Sequence, residues 1–276
     1  MTTAKKAENS ILTAWRARLW EPFCEAIARY RLIEAGDRVA VCISGGKDSM
    51  LLAKMMQMYR QRADIPFDLH FIVMDPGYNT VNRKKIEENA ALLEIPVNIF
   101  ESDIFQIANA TEKSPCYLCA RMRRGHLYAY AQQLGCNKIA LGHHFSDVIE
   151  TTLMGWFYGS QVQAMLPKLR ATNFTGMQLI RPLYCVHEED IIAWCRDNGL
   201  EFIQCACRFT ENREVYGDGS SNSKRQEIKE LLKRLRAENP GVEQSVFESI
   251  HRVNTDTVPL YKACGKAYPI ADRKNN

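Results

Sequence analysis

Val39-Ala40-Val41-Cys42-Ile43 runs directly into Ser44-Gly45-Gly46-Lys47-Asp48-Ser49, and this stretch decides the fold. A short β-branched run bounded by glycines reads as a buried strand, with a helix beginning near Asp48. Two glycines let the backbone approach an anion, amides of the loop and helix N-terminus point at it, and Lys47 and two serines add charge and hydrogen bonds. The expected chemistry is nucleotide handling. Spacing excludes other phosphate loops: a Walker A loop needs glycine where Val41 stands and Ser or Thr where Asp48 stands, and no G-x-G-x-x-G occurs.

Outward from this loop, strand-like runs at Leu69–Met74, Val97–Phe100, Lys138–Leu141 and Met177–Pro182 alternate with helical patterns over 81–93, 117–134, 148–158 and 188–198. That alternation predicts an α/β fold, a Rossmann-like parallel sheet with helices on both faces. Ligands of such sheets bind beyond the strands' carboxyl ends, where Ser44–Ser49, Asp75-Pro76-Gly77 and Gly142-His143-His144 all fall. Asp75 is read either as a nucleotide contact or as a turn former before Pro-Gly. Ahead of the sheet, Leu12, Trp15, Leu19, Phe23 and Ile27 predict one amphipathic helix over 9–30. The expected division is an N-terminal helical segment (1–36), an α/β domain (37–200), and a cysteine-containing segment with C-terminal helices (201–276).

The 276 residues are 46% hydrophobic and 25% charged, which is ordinary globular composition. No apolar run is long enough for a bilayer span, and the polar start Met1–Lys6 lacks the apolar region of a signal peptide. A cytoplasmic protein with no membrane partner is expected. The net charge of +4 is compatible with RNA without requiring it. From Lys224 to Glu238 six basic residues face three acidic ones, on a helix whose Lys229, Lys233 and Arg236 are candidate RNA contacts; a solvated face is the alternative.

Ten cysteines at irregular spacing, without a secretion signal, argue against a disulfide framework. Cys116 and Cys119 form a C-x-x-C at a helix start, beside Arg121, Arg123 and Arg124; the helix dipole and nearby arginines favour thiolates. Cys205 and Cys207 lie far along the chain. Four thiolates suit zinc, three with an open position suit an iron–sulfur cluster, and a redox dithiol is a third reading.

In order, Ser44–Ser49, Cys116–Cys119 with its arginines, Leu141-Gly142-His143-His144, Gly159, Pro167-Lys168-Leu169 and Arg181-Pro182-Leu183 resemble the tRNA 2-thiocytidine synthetases, a family of PP-loop ATP-pyrophosphatases. The likeness runs from about Ile11 to Val253. It implies an ATP-dependent tRNA thiolase, a sulfurtransferase with a 4Fe–4S cluster on three cysteines: Cys116, Cys119 and Cys207 (or Cys205). It further implies ATP as substrate, Mg²⁺, tRNA as partner, a cysteine desulfurase or another sulfide source, and leaves a homodimer open. Where the family often reads His-His-x-Asp-Asp this chain has His143-His144-Phe145-Ser146-Asp147, so Asp147 alone inherits the acidic role. The expected ATP-binding set is Ser44, Gly45, Gly46, Lys47, Asp48, Ser49, Asp75, Gly142 and His143. Lys47, Asp48, Asp147 and Arg123 are the expected catalytic residues, and Arg121 and Arg124 further RNA contacts. A different acceptor, another tRNA base or a small molecule, and a non-catalytic nucleotide-binding sensor are the competing readings.

Overall fold

A computed structural model describes residues 1–102, 104, 115–203 and 220–269, with backbone alone for 115–120 and 220–223. Contact density divides it into two units, one within 1–148 and 165–219, the other within 149–164 and 220–276.

The first unit is built on a six-stranded sheet. Its strands are β1 (Arg38–Ile43), β2 (Asp68–Asp75), β3 (Val97–Glu101), β4 (Lys138–Ala140), β5 (Lys168–Arg170) and β6 (Gln178–Ile180), ordered β3-β2-β1-β4-β6-β5. All pairings are parallel except β5 with β6. The expected parallel α/β architecture is what the chain adopts. β1 is central, Val41 pairing with Phe71 on one side and Ala140 on the other. Strand residues alternate in direction, so Ala40 and Cys42 pack with Ile72, Tyr128, Ala131 and Ile139 on one face, while Val39, Val41 and Ile43 are buried on the opposite one. Burial on both faces is why the run carries no polar alternation.

The helices are α1 (Thr3–Leu12), α2 (Glu21–Arg29), α3 (Lys47–Arg62), α4 (Thr80–Leu92), α5 (Pro115–Gln133), α6 (Phe145–Gly159) and α7 (Glu188–Asp197). The helix expected over 9–30 is broken instead. Thr13 ends α1, and a π-turn at Arg16–Trp20 precedes α2. Pro22 is the physical reason: without an N–H it cannot continue an α-helical ladder, and the wider turn lets Glu21 N–H donate to the Arg16 carbonyl. The antiparallel strand β5 was not foreseen. The last parallel strand is also shorter than the Met177–Pro182 read from sequence.

In the second unit α8 (Ser220–Glu238) and α9 (Val242–Ser249) precede a hairpin, β7 (Leu260–Ala263) and β8 (Lys266–Pro269), also absent from the sequence reading. Among the described residues no helix is long and apolar enough to cross a membrane.

At the base of the sheet, Lys138 is 2% exposed, and its Nζ donates to Asp37 Oδ2 at 2.6 Å and to the Leu32 carbonyl at 3.0 Å. Removing the carboxylate strands a buried ammonium. Asp37 is itself buried, so Lys138→Met strands a carboxylate just as Asp37→Ala strands an ammonium, and each is expected to cost about 3–5 kcal/mol. Urea unfolding of both variants checks this, and wild-type stability in either would refute it.

Candidate nucleotide site

β1 delivers the chain to the carboxyl edge of the sheet, where Ser44–Gly46 turns it into α3. Gly45 has φ +86°, and a Cβ there would come within 2.5 Å of Ile86 and 2.6 Å of Ile203. Conformation and space both require glycine. The loop is clasped by serines: Ser44 N–H donates to Ser49 Oγ at 3.1 Å, and Ser49 Oγ–H donates to the Gly46 carbonyl at 2.9 Å. Gly46 caps α3 without a side chain. The N-terminal amides of the helix form the kind of site that takes an anion.

Lys47 and Asp48 open α3. Lys47 Nζ donates to Asp48 Oδ2 at 3.1 Å and to Glu188 Oε1 at 3.0 Å. Burial alone would lower its pKa, but Asp48 and Glu188 raise it overall, so the ammonium stays charged. β4 reaches the same place: a Cβ on Gly142 would sit 3.1 Å from the backbone of Asp48 and Ser49. This contact sets His143, His144 and Asp147 against the loop.

His144 is 4% exposed. Its Nδ1 accepts from Asp147 N–H at 3.4 Å, which leaves the ring proton on Nε2. Nε2 lies 3.5 Å from Asp147 Oδ2, 3.8 Å from Asp48 Oδ1 and 4.0 Å from Glu188 Oε1. Three carboxylates thus converge on one lysine and one histidine. Asp48 Oδ1 is buried and has no hydrogen-bond partner. That atom fits a cation. No group of three or more His, Cys, Asp or Glu side chains forms a metal site among the described residues, so a cation here would draw on one or two carboxylates, as magnesium does with phosphates and water.

His143 takes a different role from its neighbour. Its Nδ1 accepts from Arg181 Nε at 3.3 Å; burial, then the Arg181 charge, pushes its pKa down to about 4. At neutral pH it is an uncharged acceptor.

The other expected residues divide. Asp75 Oδ1 accepts from Gly77 N–H at 2.9 Å and Tyr78 N–H at 2.7 Å, and Oδ2 pairs with Arg83 at 2.6 Å. Burial works against its ionisation, yet the Tyr78 amide and the Arg83 guanidinium hold its pKa below the usual carboxylate range. Oδ1 thus serves the turn, and Oδ2 ties the end of β2 to α4. Arg123 Nη2 donates to Tyr78 Oη at 3.2 Å, which ties α5 to the end of β2, while Arg121 and Arg124 are exposed. Cys116 and Cys119 fall in the first turns of α5 with side chains beyond the described set, and Cys205 and Cys207 lie outside the described residues.

On α8 the basic residues are partly committed. Glu150 is 3% exposed; Arg225 lies 3.1 Å from it and Lys229 3.7 Å. Arg236 pairs with Glu243 at 3.6 Å, and Lys233 is exposed. Sequence reasoning missed two site residues: Glu188, whose only signal was an acidic start to a helix following a strand, and Arg181, noted only within Arg181-Pro182-Leu183.

The chain is similar to known proteins in sequence and in fold. A family model described as a PP-loop domain matches residues 20–210. The tRNA-cytidine(32) 2-sulfurtransferase of Geotalea uraniireducens (strain Rf4) is 39% identical over 232 residues, covering 83% of this chain and 88% of that protein. The protein of the same name from Geotalea daltonii is 40% identical, with the same coverage of both chains. In fold, the chain resembles the U34-tRNA thiolase NcsA from Methanococcus maripaludis, solved with its 4Fe–4S cluster, at TM-score 0.66 and 21% identity, over 89% of this chain and 81% of that one.

The His143 geometry carries a pH dependence. The ring takes a proton below about pH 6.5 in the unfolded chain but only below about pH 4 in the folded protein, so the unfolded chain binds more protons between these values. The stability contributed by this neutral imidazole is complete above about pH 6.5 and is lost as pH falls toward about 4. Histidine NMR titration is expected to place His143 near pH 4, and His143→Gln should flatten the acid limb of the stability curve. A midpoint near 6.5 would refute the assignment.

Proposed function

The chain belongs to the PP-loop family and, within it, to the tRNA-cytidine(32) 2-sulfurtransferases; from that premise we propose that it is an ATP-dependent tRNA thiolase forming 2-thiocytidine. The observation that carries this reading is the loop itself, with Lys47 held at the head of α3 beside amides that have no side-chain cap. Replacing a carbonyl oxygen by sulfur is difficult because oxide is a poor leaving group. In the proposed reaction the base oxygen attacks the α-phosphorus of ATP and pyrophosphate departs. Sulfide then adds to the base carbon, and the original oxygen leaves with AMP.

The chain's residues divide this work. Gly45, Gly46 and the Lys47 ammonium bind the outgoing pyrophosphate and stabilise its growing charge. Ser44 and Ser49 keep the loop closed, and Gly142 admits the phosphate-loop helix. Asp48 and Asp147 would hold magnesium, which supplies charge neutralisation on the phosphates; the unpartnered Asp48 Oδ1 supports this. Glu188 positions Lys47 in the free protein and gives it up to phosphate. Asp75 shapes the wall of the site at the end of β2. Cys116, Cys119 and Cys207 (or Cys205) would hold a 4Fe–4S cluster, whose chemistry is to carry sulfide. Arg123 would orient the target base beside them; Arg121, Arg124 and Lys233 would meet RNA phosphates. Lys229 and Arg236 would join them only by sharing their present carboxylate partners. The sulfide source is proposed to be a cysteine desulfurase, the site of action the cytoplasm, and a second copy an open partner.

Pyrophosphate release that requires added tRNA, with 2-thiocytidine detected by mass spectrometry of the product, tests the reading; release independent of tRNA would refute it. Lys47→Ala is expected to lower turnover ~10²–10³-fold, the typical cost of one preorganised charge stabiliser, with melting temperature unchanged. Glu188→Gln is expected to tighten ATP binding, since the carboxylate 3.0 Å from Lys47 Nζ no longer competes with phosphate. Weaker binding would show that Glu188 serves the nucleotide directly. Anaerobically purified protein should hold about four irons per chain, lost in Cys116→Ala; zinc without iron would overturn the cluster assignment.

A further inference from the structure

Three Lys or Arg side chains are buried among the described residues: Lys54, Lys138 and Arg181. Lys54 is paired with Glu8, and Lys138 with Asp37. Arg181, 7% exposed, has no carboxylate within ion-pair distance among the described residues. Its Nε donates to His143 Nδ1 at 3.3 Å and its Nη1 to the Leu166 carbonyl. Both acceptors are uncharged at neutral pH. Arg124 stands close enough on α5 to add a like charge; burial first and Arg124 second lower the Arg181 pKa to about 10, against a smaller opposing pull from Tyr184, Tyr128 and the more distant Asp147. Burying a cation with no ion-pair partner is costly, and proteins ordinarily supply a counter-charge.

The position says what supplies it. Arg181 directly follows β6 at the carboxyl edge of the sheet, where ligands of α/β proteins bind. β4 and β6 stay joined up to that edge, Leu141 N–H donating to the Ile180 carbonyl at 3.0 Å. His143 follows Gly142, which abuts the first turn of α3. The guanidinium therefore lies at the same edge as the phosphate loop, two strands along the sheet with β4 between, and has fork geometry suited to phosphate oxygens.

We propose that Arg181, flanked by Arg124, is the cationic half of a second phosphate site at the carboxyl edge between β4 and β6, separate from the phosphate loop. His143 and the Leu166 carbonyl hold the guanidinium in place, and an incoming phosphate supplies the missing negative charge. The phosphate belongs to the nucleotide or to the acceptor RNA, an identification that rests on the function proposed above.

The test compares the wild-type protein with Arg181→Gln, Arg181→Lys and Arg124→Gln, the last altering an exposed side chain so that a folding defect cannot decide the outcome. Calorimetry measures inorganic pyrophosphate and ATP; fluorescence anisotropy measures tRNA across a salt series. Arg181→Gln is expected to weaken one of these ligands by roughly 10- to 100-fold, the effect of losing a hydrogen-bonded charge, with partial recovery in Arg181→Lys and a smaller loss in Arg124→Gln. Weakened pyrophosphate and ATP binding assigns the site to the nucleotide. Weakened tRNA binding alone, with the magnitude of the log–log salt slope reduced by about 0.7 to 0.9, assigns it to a backbone phosphate. Wild-type affinity for all three ligands in Arg181→Gln and Arg124→Gln overturns the proposal. ATP and pyrophosphate failing to bind the wild-type protein would instead sink the nucleotide reading itself.

Discussion

The backbone at Gly45 passes between Ile86 and Ile203 with no room for a Cβ, and the functional edge of the sheet depends on that passage. Any side chain there would push the loop off its track and move Lys47, Asp48 and Ser49 together, because all three are carried by the first turn of α3. The same economy of space operates at Gly142, where β4 meets that turn. Two glycines from distant parts of the chain thus fix one distance, that between the loop's helix and the residues following β4. The His144 and Asp147 contacts follow from it.

Charge is handled unevenly across the protein, and the unevenness follows location. At the base of the sheet and under α1 the buried lysines are matched with carboxylates and backbone carbonyls, an arrangement that holds elements together. At the carboxyl edge the matching fails in both directions. Asp48 has an oxygen with no partner, while Arg181 has only neutral acceptors. Unbalanced groups of opposite sign gathered at one edge are what a polyanion carrying its own cation would complete.

Much of this was legible in the sequence because its causes are local. The strand, the glycine loop and the helix follow from a β-branched run and two glycines in succession, and Lys47 and Asp48 come with them. What escaped notice depended on partners far along the chain. Glu188 meets Lys47 across 141 residues, and nothing at either position announces the other. The pairing of Lys229 with Glu150, which is buried in a different helix, could not be read from the run of basic residues. β5 is three residues long and two of them are cationic, which is too short and too polar for periodicity to register. The break at Pro22 could have been read, since a proline within a helical pattern removes a donor wherever it falls. The cysteine pattern by itself left zinc, cluster and dithiol chemistry open, and the family resemblance is what pointed to the cluster.

That short strand also guards the molecule's exterior. A parallel sheet ending on β6 would offer a row of unpaired amides and carbonyls to any extended chain. β5 covers those groups and runs the opposite way, and its own outer rim spans only Lys168, Leu169 and Arg170. Lys168 is further tied to the Arg31 carbonyl at 2.8 Å. An intruding strand would find at most a few hydrogen bonds beside two positive charges, a poor template for edge-to-edge growth. Lengthening this strand with apolar residues would turn a terminus of the sheet into a seed for aggregation.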